Sequence, residues 1–101
     1  MWIEACAAEE VDEDLPKSVK LNGQEIGIFR LGNELFALED ICPHAYALLS
    51  QGFVEGEEVE CPLHGAVFNI RTGKCLREIG ERDVKTYAVK EEGGTLFVDM
   101  P

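Results

Sequence analysis

Apolar residues in this chain fall in short runs separated by turn-forming pairs, a pattern that predicts strands rather than long helices. Residues 18–21, 25–30 and 34–38 read as the strands of a first sheet. The pairs Asn22-Gly23 and Gly32-Asn33 between them supply the positive φ that tight hairpins need. Residues 59–61 and 67–70 follow as brief strands around a loop, and Thr72-Gly73 turns the chain again. Residues 85–90 and 95–99 make a last hairpin across Gly93-Gly94. Residues 9–14, EEVDED, show no strand alternation and lead to Pro16, so they read as a solvated turn or a short helical turn. The expected fold is all-β, a small antiparallel β domain with its loops gathered at one end.

Length keeps this picture small. The 101 residues make one domain, 1–101, with a single modest core and no room for a second substrate domain. Nothing approaches the roughly twenty apolar residues that span a bilayer. The opening MWIEACAAEE lacks the basic start and apolar run of a secretory signal, so a cytoplasmic location is expected. Twenty acidic residues against nine basic ones give a formal charge of −11. That charge repels nucleic acid and anionic membrane surfaces and attracts a basic protein partner, chiefly by raising the encounter rate.

The chemistry is concentrated in two runs. Cys42-Pro43-His44 sets a C-x-H beside the C-x-x-H of Cys61-Pro62-Leu63-His64, with sixteen residues between them, and the two runs use both histidines of the chain. Two thiolates and two imidazoles are good ligands for a soft or borderline metal. Structural zinc sites usually keep their cysteines in one loop and their histidines in another, whereas here each loop carries one of each. That distribution suits a two-iron cluster with cysteines on one iron and histidines on the other. A zinc site on the same four ligands remains the alternative. Cys6 and Cys75 are left over, and they read as small apolar core residues or bystander thiols.

Residues 42–76, CPHAYALLSQGFVEGEEVECPLHGAVFNIRTGKCL, closely resemble the cluster-binding region of Rieske ferredoxins that serve bacterial aromatic-ring oxygenases. The resemblance continues more weakly to both ends, including Trp2-Ile3 and the closing hairpin. It implies a Rieske-like β-sandwich or barrel with two cluster-binding loops at one end. It further implies one [2Fe-2S] cluster held by Cys42 and Cys61 on the inner iron and by His44 and His64 on the outer iron. The implied role is an electron carrier, not an enzyme. Single electrons would pass from a flavin-containing, NAD(P)H-dependent ferredoxin reductase to a terminal oxygenase of aromatic-compound degradation, through transient electrostatic docking of a monomer. With no histidine left over, the chain lacks the material for the mononuclear iron site at which such oxygenases react. A Rieske-like small subunit of a larger reductase, such as nitrite reductase, is the second reading of the same resemblance.

Several residues bear on how such a centre is tuned. Pro43 and Pro62 stiffen the loops, Gly65 lets backbone come close, and Ala45, Ala47, Leu48 and Leu49 read as apolar cover or ordinary core. In the high-potential Rieske proteins of respiratory complexes the family pattern has two further cysteines that bridge the loops. The matching positions here are Ala47 and Leu63, so no such bridge is expected. A serine and a tyrosine that donate hydrogen bonds toward sulfur in those proteins correspond to Ala66 and Phe68. Fewer donors leave the added charge of reduction less stabilised, so the expected midpoint lies in the lower part of the Rieske range of about −150 to +300 mV. The family's ferredoxins often carry a proline in a third loop, where this chain reads LREIG over residues 76–80.

Overall fold

The structure, a computed structural model, describes residues 1–43, 47–63, 65–77 and 82–101. Among the described residues ten strands run in chain order: β1 (Trp2–Ala7), β2 (Lys17–Leu21), β3 (Gln24–Leu31), β4 (Glu34–Glu39), β5 (Phe53–Glu55), β6 (Glu58–Glu60), β7 (Val67–Asn69), β8 (Thr86–Tyr87), β9 (Val89–Glu92) and β10 (Thr95–Asp99). Every pairing is antiparallel, and the strands form three sheets in the orders β1-β10-β9, β2-β3-β4-β8 and β5-β6-β7. The all-β class expected from the sequence is the class observed. Two short 3-10 turns, Ala8–Glu10 and Leu49–Gln51, are the other regular elements among the described residues, the first overlapping the start of residues 9–14, which were expected to make a turn. Among the described residues no helix is long and apolar enough to cross a membrane.

The β2-β3-β4-β8 sheet is central because β3 and β4 are apolar on both faces. Ile26, Ile28 and Ala37 join Leu96, Val98 and Met100 in one buried cluster. Phe29 and Leu38, from the opposite face, join Leu49, Val59, Phe68 and Ile70 in a second. Side chains alternate across a strand, so consecutive buried residues such as Ile28 and Phe29 feed different clusters. Each large side chain buried this way contributes about 1.5–3 kcal/mol. The second cluster contains both Cys42 and Cys61 and so supports the candidate site from beneath.

Two expectations need correction. Residues 85–90 are not one strand, because β8 pairs with β4 and β9 pairs with β10. The chain changes sheets at Ala88, whose carbonyl accepts the Asp99 N–H at 2.9 Å. The strand expected over residues 59–61 ends one residue early, since Cys61 already belongs to a loop. Strand β5 and its turn at Gly56, where φ is +60°, were not anticipated; Phe53–Glu55 alternates exposed and half-buried residues over only three positions.

Candidate metal centre

The two thiol-bearing loops share one construction. In the first, Ile41 and Leu48 face each other in an antiparallel bridge, and the Cys42 N–H donates to the Ala47 carbonyl at 2.9 Å. In the second, Glu60 and Val67 face each other, and the Cys61 N–H donates to the Ala66 carbonyl at 2.7 Å. Each loop therefore opens on Cys-Pro and closes on a buried alanine between paired antiparallel residues: the sequence is CPHAYA over 42–47 and CPLHGA over 61–66. The histidine stands third in one tip and fourth in the other. His44 and His64 lie outside the described residues, as does Ala45.

Both cysteines are buried, each with 1 % relative exposure, and both pack in the cluster of Leu49, Phe68 and Ile70. Ala47 and Leu49, read from the sequence as apolar cover, belong to that same cluster, while Leu48 is half-buried. Ala66 and Phe68 are fully buried and bring no hydroxyl to it. Gly65 has φ +71°, the left-handed region that glycine enters without strain, so it is the loop's turn that requires glycine here. None of the four cysteines is in a disulfide. Cys6 and Cys75 pack partly buried against different clusters, Cys75 beside the candidate site and Cys6 beyond the central sheet. Two buried thiols, held at equivalent positions of twin loops without being oxidised to each other, fit the sulfur half of a Cys2His2 two-iron centre.

Asp40 supports the first loop and was missed in the sequence reading. It is fully buried just past β4, two residues before Cys42. Its carboxylate accepts the Ser50 N–H and the Ser50 hydroxyl, both at 2.7 Å, and a hydrogen bond from the Ser18 side chain. Its carbonyl accepts the Leu49 N–H at 2.7 Å. Thus one residue holds both the entry and the exit of the loop. Burial raises the Asp40 pKa, and the Ser50 and Ser18 bonds oppose that rise. Gly27 in β3 leaves the space it occupies, since a Cβ there would lie 2.6 Å from Asp40 Oδ1. Asp40→Ala strands the Ser50 and Ser18 donors and is expected to cost about 3 kcal/mol, read as a lowered urea midpoint.

A second clamp holds the far end of the third loop. Arg82 Nη1 and Nη2 donate to Glu39 Oε1 at 2.9 Å and Oε2 at 2.7 Å, and the Lys85 N–H donates to the same carboxylate at 3.1 Å. The hydrogen bonds from Arg82 lower the Glu39 pKa against the opposing effect of burial. A depressed carboxylate pKa gives stability that is present above the ordinary glutamate range and lost as pH falls through the folded-state value. Arg82→Ala is accordingly expected to lose about 1 kcal/mol at neutral pH, because the pair is partly exposed and screened by salt. The difference from wild type should vanish in acid, as urea titrations at pH 7 and pH 3 will check. Of the third-loop residues 76–80, Leu76 and Arg77 are exposed and the others lie outside the described residues.

An all-β domain that offers two buried thiols on paired loops fits a small iron–sulfur protein of mixed Cys/His ligation. The family model for the Rieske [2Fe-2S] domain matches residues 1–88, and the chain belongs to this family. Its cofactor is accordingly a Rieske-type [2Fe-2S] cluster. The chain is 39 % identical over 99 residues to the ferredoxin component of the naphthalene 1,2-dioxygenase/salicylate 5-hydroxylase systems of a Ralstonia species, covering 98 % of this chain and 95 % of that one. The structure resembles that of Sphingomonas yanoikuyae B1 ferredoxin with a TM-score of 0.92 at 28 % identity, covering all of both chains. It also resembles a chain in a complex of reduced oxygenase and oxidized ferredoxin of carbazole 1,9a-dioxygenase, with a TM-score of 0.86 at 31 % identity and coverage of 96 % and 91 %.

Proposed function

We propose that the chain is the ferredoxin of a bacterial aromatic-ring oxygenase system, working as a single-domain monomer in the cytoplasm. Cys42 and Cys61 hold the inner iron through their thiolates, and His44 and His64 hold the outer iron through ring nitrogens. The observation that carries this reading is the pair of twin loops, each presenting one buried thiol to a shared apolar cluster. The names of the relatives supply the setting: a ferredoxin component of ring-oxygenase systems, and a ferredoxin in complex with an oxygenase.

When bound, the cluster supplies a reversible one-electron step. The chain does the rest. Leu49, Phe68 and Ile70 keep water from the sulfur side of the site, and Ala66 and Phe68 donate no hydroxyl bond to it. The midpoint therefore belongs in the lower part of the Rieske range. Docking draws on two features of the surface. Leu63 and Leu76 are 66 % and 47 % exposed, and they offer apolar contact on the second ligand loop and the third loop. Most of the nine cations are already engaged by carboxylates, through Lys17–Glu10, Arg71–Glu34, Arg71–Glu57, Arg77–Glu60, Arg82–Glu39 and Lys90–Glu92. The remaining acidic groups therefore set the surface potential that a basic reductase or oxygenase face would meet.

The test is absorption and low-temperature EPR of the purified chain before and after dithionite, with iron, sulfide and zinc analysis, on wild type and His64→Ala. A red-brown wild type with two irons, two sulfides and the low average g value of a histidine-ligated cluster on reduction is expected, and His64→Ala should lose that signal. A colourless zinc protein would replace the reading with a structural module. An isolated chain unable to exchange electrons with any separate reductase would favour a fixed subunit of a larger reductase.

A further inference from the structure

The second ligand loop is gripped from outside by a side chain that the cluster-binding motif does not contain. The chain returns to this loop after the Thr72-Gly73 turn. Cys75 bridges Phe68, and the Leu76 N–H donates to the Val67 carbonyl at 2.7 Å, which lays residues 75–77 along the strand leaving the loop. The Cys75 thiol then donates to the Arg77 carbonyl at 2.8 Å and fixes the local turn. Arg77 reaches back from there. Its Nη1 donates to the Gly65 carbonyl at 3.2 Å and lies 3.8 Å from Glu60 Oε1. Glu60 immediately precedes Cys61 and Gly65 immediately follows His64, so one guanidinium spans both ends of the tip.

The first loop needs no such grip, because buried Asp40 holds it from below. Within the second tip, the Gly65 N–H makes only a long 3.4 Å bond to the Cys61 carbonyl. We propose that Arg77 is the positioning residue of the second ligand loop, pinning it from the third loop and favouring the reduced state of the centre through its positive charge. This rests on the ligand set proposed above. Two consequences are separable. Both contacts run through Nη1, which the rigid guanidinium plane holds between the Gly65 carbonyl and the Glu60 carboxylate, and the flexible, strongly hydrated ammonium of a lysine holds them less firmly. The charge acts at a distance, on a chain whose net charge is −11 and which gains one more negative charge on reduction. Because Arg77 is exposed, salt screens that second effect.

The experiment uses cluster-loaded wild type, Arg77→Gln and Arg77→Lys. Midpoint potentials are measured at about 0.01 M and about 1 M salt, where the Debye length falls from about 30 Å to about 3 Å. Iron release to a ferrous chelator and urea stability are recorded alongside. Arg77→Gln should shift the midpoint downward, by more at low salt than at high. Arg77→Lys should keep most of the wild-type midpoint, and both variants should release iron about tenfold faster. Urea stability should change little, as expected for an exposed side chain. A wild-type midpoint in Arg77→Gln, or wild-type iron release in both variants, overturns the proposal, and so does a change in urea stability alone. A wild-type chain that holds no two-iron centre fails the ligand assignment instead, before any variant is compared.

Discussion

Replacing Cys61 by alanine is expected to give a colourless chain without iron or sulfide, whereas Cys6→Ala remains red-brown. Cys61 would supply one of two thiolates to the inner iron, and its burial leaves no route for water or an outside thiol to substitute. Besides Cys42, Cys75 is the cysteine that packs against the same cluster, yet its thiol is committed to the Arg77 carbonyl and its backbone N–H to Asp83 Oδ1 at 2.8 Å. It cannot move into the tip without undoing the bridge to Phe68. Loss of the cluster also removes the linkage by which a bound group stabilises the native state, so the loaded wild type should outlast the variant in urea. Cys6, on β1 and packed with the other cluster, controls for removal of a thiol as such. The check is metal and sulfide analysis with an absorption spectrum. A Cys61→Ala protein that keeps two irons would sink the ligand assignment.

The two Cys-Pro runs were legible as candidate ligand loops because their chemistry is local. Cys42 and Cys61 each stand beside a proline and close to a histidine, and no tertiary contact is needed to see the pattern. Strands β2, β3 and β4 were legible for a related reason: Gly23 and Gly32, both at positive φ, mark the hairpin turns between them. Other elements were hidden by tertiary demands. Strand β1 carries a bulge between Glu4 and Cys6, which disrupts its alternation, and only the family resemblance pointed to Trp2-Ile3. The break at Ala88 is set by two partner strands, β4 and β10, that the local sequence does not name.

The supports of the site were illegible on the same ground. Asp40 matters because Gly27, on the neighbouring strand, leaves room for it and because Ser18 and Ser50 converge on it. From sequence it is one more acid in a chain with twenty. Arg77 likewise gains meaning only when the third loop returns to Gly65. The motif therefore points to the candidate ligands, while residues outside it hold the loops that carry them. This division predicts that variants can damage the centre without touching a ligand.

Gly52→Ala is the variant expected to show this most strongly, with a loss of about 3 kcal/mol in stability and faster loss of iron. Gly52 ends the 3-10 turn that follows the first ligand loop, and its N–H donates to the Leu49 carbonyl at 2.9 Å. Its φ of −85° suits any residue, so backbone strain is not the reason for glycine. The reason is contact: a Cβ at this position would overlap the carbonyl oxygen of Glu60 and lie 3.1 Å from the carbonyl oxygen of Leu49. Glu60 is the last residue of β6 and the one before Cys61, so the chain leaving one ligand loop rests directly on the chain entering the other. Adding a methyl group must push β6 away or lift the turn, and either movement changes the separation of the two thiols. Gly56→Ala is the matched control. There φ is +60° and nothing lies within 4 Å of the added Cβ, so only the left-handed strain of about 1–2 kcal/mol is incurred. Urea unfolding and chelator-driven iron release should separate the two, with both measures disturbed in Gly52→Ala and iron release unchanged in Gly56→Ala. Wild-type iron retention in Gly52→Ala would mean that the loops keep their spacing without this contact.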